Sequence, residues 1–130
     1  MKTDALRGTR YWLLSLAAAL VVLVLLGIHM AMMHLDGLLA SLVPAWATPL
    51  HWAPTLARAR SLAFSVGYLL LLTTALYHGF YGLRTLLLEL DRGPVWERGV
   101  TVGCWLVGGA LWLIGSVTTL VLFLSSGGDV

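Results

Sequence analysis

SLAFSVGYLLLLTTALYHGFYGL, residues 61–83, contains no charged side chain, and its length decides the fold. A helix of about 20 apolar residues crosses the hydrocarbon of a bilayer. Two further uncharged runs do the same, Tyr11 to Leu35 before it and Gly99 to Gly128 after it. A backbone in lipid finds no solvent to bond, so each run is expected to satisfy its peptide groups internally as a helix. None shows the two-residue alternation of a barrel strand. The reading is an all-α membrane protein of one domain over 1–130, with spans at about 11–35, 61–84 and 99–125.

Composition agrees. Of 130 residues, 11% are charged and 59% hydrophobic, and the mean hydropathy of +0.90 lies outside the usual soluble range. The basic residues set orientation: Lys2, Arg7 and Arg10 precede the first span and Arg84, Arg92 and Arg98 surround the second connection, against only Arg58 and Arg60 on the other side. That asymmetry puts the N-terminus and second connection in the cytoplasm and the C-terminus outside. The pI near 9.0 reflects the same asymmetry. With no basic patch, nucleic acid is not an expected partner.

The first span is expected to be kept as an anchor. Its apolar stretch exceeds the roughly 7–15 residues of a leader core, and no small-x-small cleavage site follows. Cys104 is the only cysteine, so neither an internal disulfide nor a paired-cysteine covalent attachment is available.

The connections differ. Asp36 to Arg60 interleaves Pro44, Pro49 and Pro54 with Trp46, His51 and Trp52. That mixture breaks helices and suits the interfacial aromatic belt, so an outer loop is expected, with a short interfacial helix continuing from His34. Glu89 to Arg98 carries Asp91, Arg92, Gly93, Pro94 and Glu97 and reads as a tight cytoplasmic turn beside a soluble partner. In the third span Gly99, Gly103, Gly108, Gly109 and Gly115 recur, the pattern of close helix packing.

His34 and His78 lie inside these apolar runs, and an intramembrane imidazole is a functional hypothesis by default. His78 and Gly82 share a helical face, and a broad flat porphyrin ligated by His78 benefits where Gly82 carries no side chain. Thr74 stands one turn earlier, its hydroxyl most simply bonded to its own backbone. His29 and His34 are about 140° apart around one helix. Gly27 and Ala31 fall on the face of His34, which makes His34 the candidate ligand. His29 is left to support a ligand, meet a haem propionate or line a quinone pocket. Measured from Arg10, His34 lies roughly 36 Å deep, while His78 lies roughly 20 Å from Asp91. A difference of roughly 16 Å is too large for one iron. Each histidine is therefore expected to serve its own haem, with a partner chain or a second copy of this one completing both ligand pairs.

The phrase Tyr77-His78-Gly79-Phe80-Tyr81-Gly82-Leu83-Arg84, followed by Glu89, resembles the HxxxG(L/I/V) segment of the cytochrome b anchor subunits of succinate dehydrogenases and fumarate reductases. The pair His29 and His34 is similar to the HxxxxH ending of the first helix in two-haem members. The resemblance covers all three spans and implies one of two small anchors in the inner membrane.

What it implies chemically is a division of labour. An FAD flavoprotein performs the succinate chemistry, an iron–sulfur subunit carries electrons, and the anchors hold haem b and pass electrons to ubiquinone or menaquinone. No residue of this chain is then catalytic. His78 becomes the proximal haem ligand and His34 the distal one. Arg84 borders a propionate or the quinone, and Tyr77, Tyr81 and Trp96 are quinone neighbours. Relatives often carry histidine after the arginine, where Thr85 stands here, so that contact is not carried over. Two alternatives remain: a haem-free anchor of the same family, and a structural or assembly membrane protein without redox function.

Orientation is directly testable. In a Cys104→Ser background, an impermeant thiol reagent added to intact cells is expected to label Arg60→Cys, but to label Arg92→Cys only after permeabilisation.

Overall fold

The computed structural model describes residues 2–35, 51–90 and 92–125. Four helices follow in order: α1, Lys2–His34; α2, Trp52–Ala59; α3, Leu62–Leu88; and α4, Pro94–Leu124. Three of them, α1, α3 and α4, are long and apolar enough to cross a membrane, and no strand occurs among the described residues. The chain is an all-α, multi-pass membrane protein.

Two boundaries differ from expectation, for one reason. Proline lacks an N–H, but the first turn of a helix has no intrahelical acceptor for that N–H anyway. Pro94 therefore opens α4 rather than only stopping α3. Gly93 takes φ 89° just before it, a conformation that favours glycine. Glu97 falls in the first turn, where a negative charge complements the helix dipole. Likewise Pro54 sits in the first turn of α2 and does not break it. The expected loop over Asp36–Arg60 is thus part helix. Pro44, Trp46, Pro49 and the continuation beyond His34, together with Asp91, lie outside the described residues.

The turn between α3 and α4 is closed by polar contacts. Trp96 Nε1 donates to the Leu87 carbonyl at 2.9 Å, satisfying one of the last carbonyls of α3. The Arg92 guanidinium stands 5.3 Å from the centre of the Trp96 ring.

Within the bundle, α3 is central, packing against α1 on one side and α4 on the other while α2 lies against α3 and α4. The buried residues are mostly small: Ser15 and Ala18 on α1, Ser65 on α3, Val100 and Ser116 on α4. In lipid there is no hydrophobic drive between helices, so close van der Waals approach at small residues holds them together. A Cβ added at Gly115 comes within 2.7 Å of Leu72, and one at Gly108 within 3.1 Å of Phe80. At Gly99, Gly103 and Gly109 it meets nothing within 4 Å. Only two of the five glycines of this span therefore serve the α3–α4 seam. Elsewhere the surface is apolar, with Trp105 at 76% and Leu23 at 70% exposure, as suits helices bathed in lipid.

Gly115→Val is expected to destabilise the α3–α4 pair by about 1–3 kcal/mol, the usual cost of overpacking, while Gly109→Ala stays within about 0.5 kcal/mol. Reversible unfolding in detergent measures both.

Candidate functional site

On α3, His78 meets Ser15 of α1. Its Nδ1 lies 3.1 Å from the Ser15 carbonyl oxygen and 3.2 Å from Ser15 Oγ. The carbonyl can only accept, so the contact with it needs a proton on Nδ1, and in that tautomer Nε2 keeps its lone pair. Metal-binding histidines commonly show this arrangement, donating the other ring N–H to a backbone carbonyl that fixes tautomer and orientation. Ser15 is buried at 6% exposure, whereas His78 is exposed on the outer surface of the bundle. One turn on, a Cβ added at Gly82 meets nothing within 4 Å, so this face of the helix is open. Thr74 Oγ1 donates to the Leu70 carbonyl at 2.8 Å, the local use its position predicts.

The other expected residues divide between two seams. Tyr77 donates its hydroxyl to the Tyr11 carbonyl at 3.2 Å, and the Tyr77 and Tyr81 rings stack with centroids 6.1 Å apart. Both belong to the α1–α3 side. Arg84 turns to α4, where its Nε donates to Thr101 Oγ1 at 3.0 Å and its Nη2 stands 3.8 Å from Glu97 Oε1. Trp96 lies on that side too, lining an open 500 Å³ cavity with Arg92, Val95, Gly99 and Val100. The three aromatic residues grouped as quinone neighbours are thus not one cluster.

His29 packs edge-on against Tyr68 of α3, with centroids 6.3 Å apart and planes at 80°. His34 is the last residue of α1 and exposed, and an added Cβ at Gly27 meets nothing within 4 Å. The Ser15–His78 contact fixes the register of antiparallel α1 and α3. From it, His29 lies roughly 21 Å and His34 roughly 28 Å farther along α1, at about 1.5 Å per residue. This exceeds the roughly 16 Å obtained by measuring each span from its flanking charges, because α3 runs on to Leu88 and its end does not mark the same depth as Arg10. His34 and His78 cannot share an iron. The remaining histidine, His51, caps α2 at the far end of the bundle.

Two participants were not singled out from sequence. Ser15 is the lone serine in the run Tyr11–Leu35, and a hydroxyl there is a visible but unspecific signal. Thr101, the partner of Arg84, had no signal at all. Among the described residues no three His, Cys, Asp or Glu side chains converge as a metal cluster, and a single axial imidazole requires none. Compared with protein-family models, curated proteins and solved structures, the chain matches none.

Nitrogen NMR of the chain in bilayers is expected to find His78 protonated at Nδ1 and bare at Nε2. A proton on Nε2 would show Ser15 to be the donor instead.

Proposed function

We propose that this chain is a small membrane-anchor subunit of a succinate:quinone oxidoreductase, with His78 Nε2 as an axial ligand of haem b. The observation that carries the reading is the Ser15–His78 contact, which commits one ring nitrogen to the protein and leaves the other as a ligand on an exposed face. The phrase around His78 and its resemblance to the cytochrome b anchors point the same way. Bis-histidine haem supplies one-electron transfer without an open site for oxygen.

The residues of the chain then have distinct tasks. His78 holds iron, and the Ser15 carbonyl holds the imidazole in the ligating tautomer. Gly82 leaves space for the ring. Arg84, held to α4 by Thr101 and Glu97, presents its remaining donors at the cytoplasmic end, where a propionate or quinone carbonyl is bound. Tyr77, Tyr81 and Trp96 border the quinone from the two seams.

No other histidine of the chain lies at the level of His78, so the opposite axial ligand comes from a second anchor subunit. A second haem is assigned to His34, on its spacing from His29 and the resemblance. The iron–sulfur and FAD subunits dock on the cytoplasmic face of the inner membrane, beside the α3–α4 turn. Succinate chemistry belongs to the flavoprotein, and this chain contributes position and electrostatics.

The purified complex is expected to show haem b bands in a reduced-minus-oxidised spectrum. His78→Ala removes one haem and cuts quinone reduction, while succinate oxidation by an artificial acceptor persists; His34→Ala removes the other haem. Absence of haem bands, or haem content unchanged in His78→Ala, overturns the reading.

A further inference from the structure

The last six residues of α1 are His29-Met30-Ala31-Met32-Met33-His34, and they hold every methionine of the chain beyond Met1. Methionine on an apolar helix ordinarily only packs, because its thioether fills irregular gaps. Three observations set this group apart.

The first is angular. At about 100° per residue, Met32 and Met33 fall about 60° and 40° to either side of His29, while Met30 and His34 lie about 100° and 140° away from it. One imidazole and two thioethers therefore share a helical face.

The second is where that face lies. Met32 is buried at 8% exposure, and His29 and Met33 together line a cavity of about 290 Å³ whose other walls include Arg58 of α2, Tyr68 of α3 and Thr119 of α4. The Tyr68 ring meets His29 edge-on at 6.3 Å and orients the imidazole, yet neither ring nitrogen of His29 has a hydrogen bond among the described residues. Nitrogen at this depth without a partner is a functional hypothesis by default.

The third is access. Taking Ala18 as level with Ala75 at the middle of α3, His29 lies roughly 17 Å from the midplane, close to the boundary about 15 Å out where hydrocarbon ends. An ion reaches that level from water without crossing lipid.

Donor chemistry selects the ion. Magnesium, calcium and manganese require carboxylate, carbonyl and water oxygens, whereas thioether and imidazole suit Cu(I). Charge selects in the same direction. Arg58 is bonded to Thr55 Oγ1 at 3.3 Å and makes further contacts within the fold; whatever positive charge remains on its wall repels a divalent ion twice as strongly as a monovalent one.

We propose that His29 and Met33, completed by Met32, form a site for one Cu(I) at the end of the bundle remote from the N-terminus. The site rests on none of the haem assignments.

The test is titration of the purified full chain in detergent with Cu(I) under ascorbate, in competition with a chromogenic Cu(I) chelator, with Zn(II) in parallel and X-ray absorption of the copper-loaded protein. One Cu(I) per chain is expected, with sulfur and nitrogen neighbours and no comparable retention of Zn(II). Met33→Leu and Met32→Leu conserve volume and so keep the packing. Met33→Leu and His29→Gln weaken Cu(I) binding about tenfold or more, at least the loss that follows from removing an outer partner of a metal ligand; Met32→Leu weakens it as well. Met30→Leu, on another face, and Tyr68→Phe, which keeps the ring against His29, leave the affinity unchanged. Affinity unchanged in Met33→Leu, an equal loss in Met30→Leu, Zn(II) held as tightly as Cu(I), or copper with only nitrogen and oxygen neighbours overturns the proposal.

Discussion

A peptide group in hydrocarbon has no water to bond, and every other property of this chain is built on that constraint. It turns three apolar runs into helices that close their own hydrogen bonds. It also removes the hydrophobic drive that would otherwise press those helices together. What remains is contact at small residues, and the chain supplies it: Ser15 and Ala18 where α1 meets the bundle, Gly108 and Gly115 where α4 meets α3. Polar side chains then carry disproportionate meaning. Trp112 Nε1 donates to Thr73 Oγ1 at 3.0 Å, Trp96 to the end of α3 and Arg84 to Thr101, while His78 Nδ1 meets Ser15.

The last of these contacts joins packing to chemistry. A serine small enough to let α1 approach exposes its carbonyl to the imidazole of α3. That carbonyl already serves the helix of α1, but its second lone pair is available. One contact therefore joins the register of two helices to the hydrogen bonding of one ring. The same register separates the histidines into two levels, with His78 at one and His29, His34 and His51 at the other. The haem proposed at the first level would be completed by a ligand from a second chain. The second level is distinguished instead by an arginine folded inward on α2.

Much of this was legible in the residues. The three spans follow from run length alone, although α1 starts nine residues before Tyr11, and α4 starts five before Gly99 because proline in a first turn costs nothing and lets it begin at Pro94. The face shared by His78 and Gly82 follows from helical geometry. Less legible was the α3–α4 seam, since five glycines look alike in sequence and only Gly108 and Gly115 meet a neighbour. Ser15 was visible as a lone serine in an apolar run, but nothing local says which residue some sixty positions away it meets. The depth of His34 relative to His78 was misjudged because flanking charges mark where a helix leaves the lipid, not how two helices are staggered.

By itself, then, the sequence determined that the chain crosses a membrane as helices, because hydrogen-bond closure and hydrophobic length are properties of each segment alone. It also determined which imidazoles lie on which helical face, since 3.6 residues per turn is a local rule. Tertiary structure alone decided which carbonyl His78 meets, which glycines pack, and that Arg58 turns inward to join His29 and Tyr68. Those facts depend on stagger and rotation between helices, and side chains far apart in the chain settle them by fitting against one another.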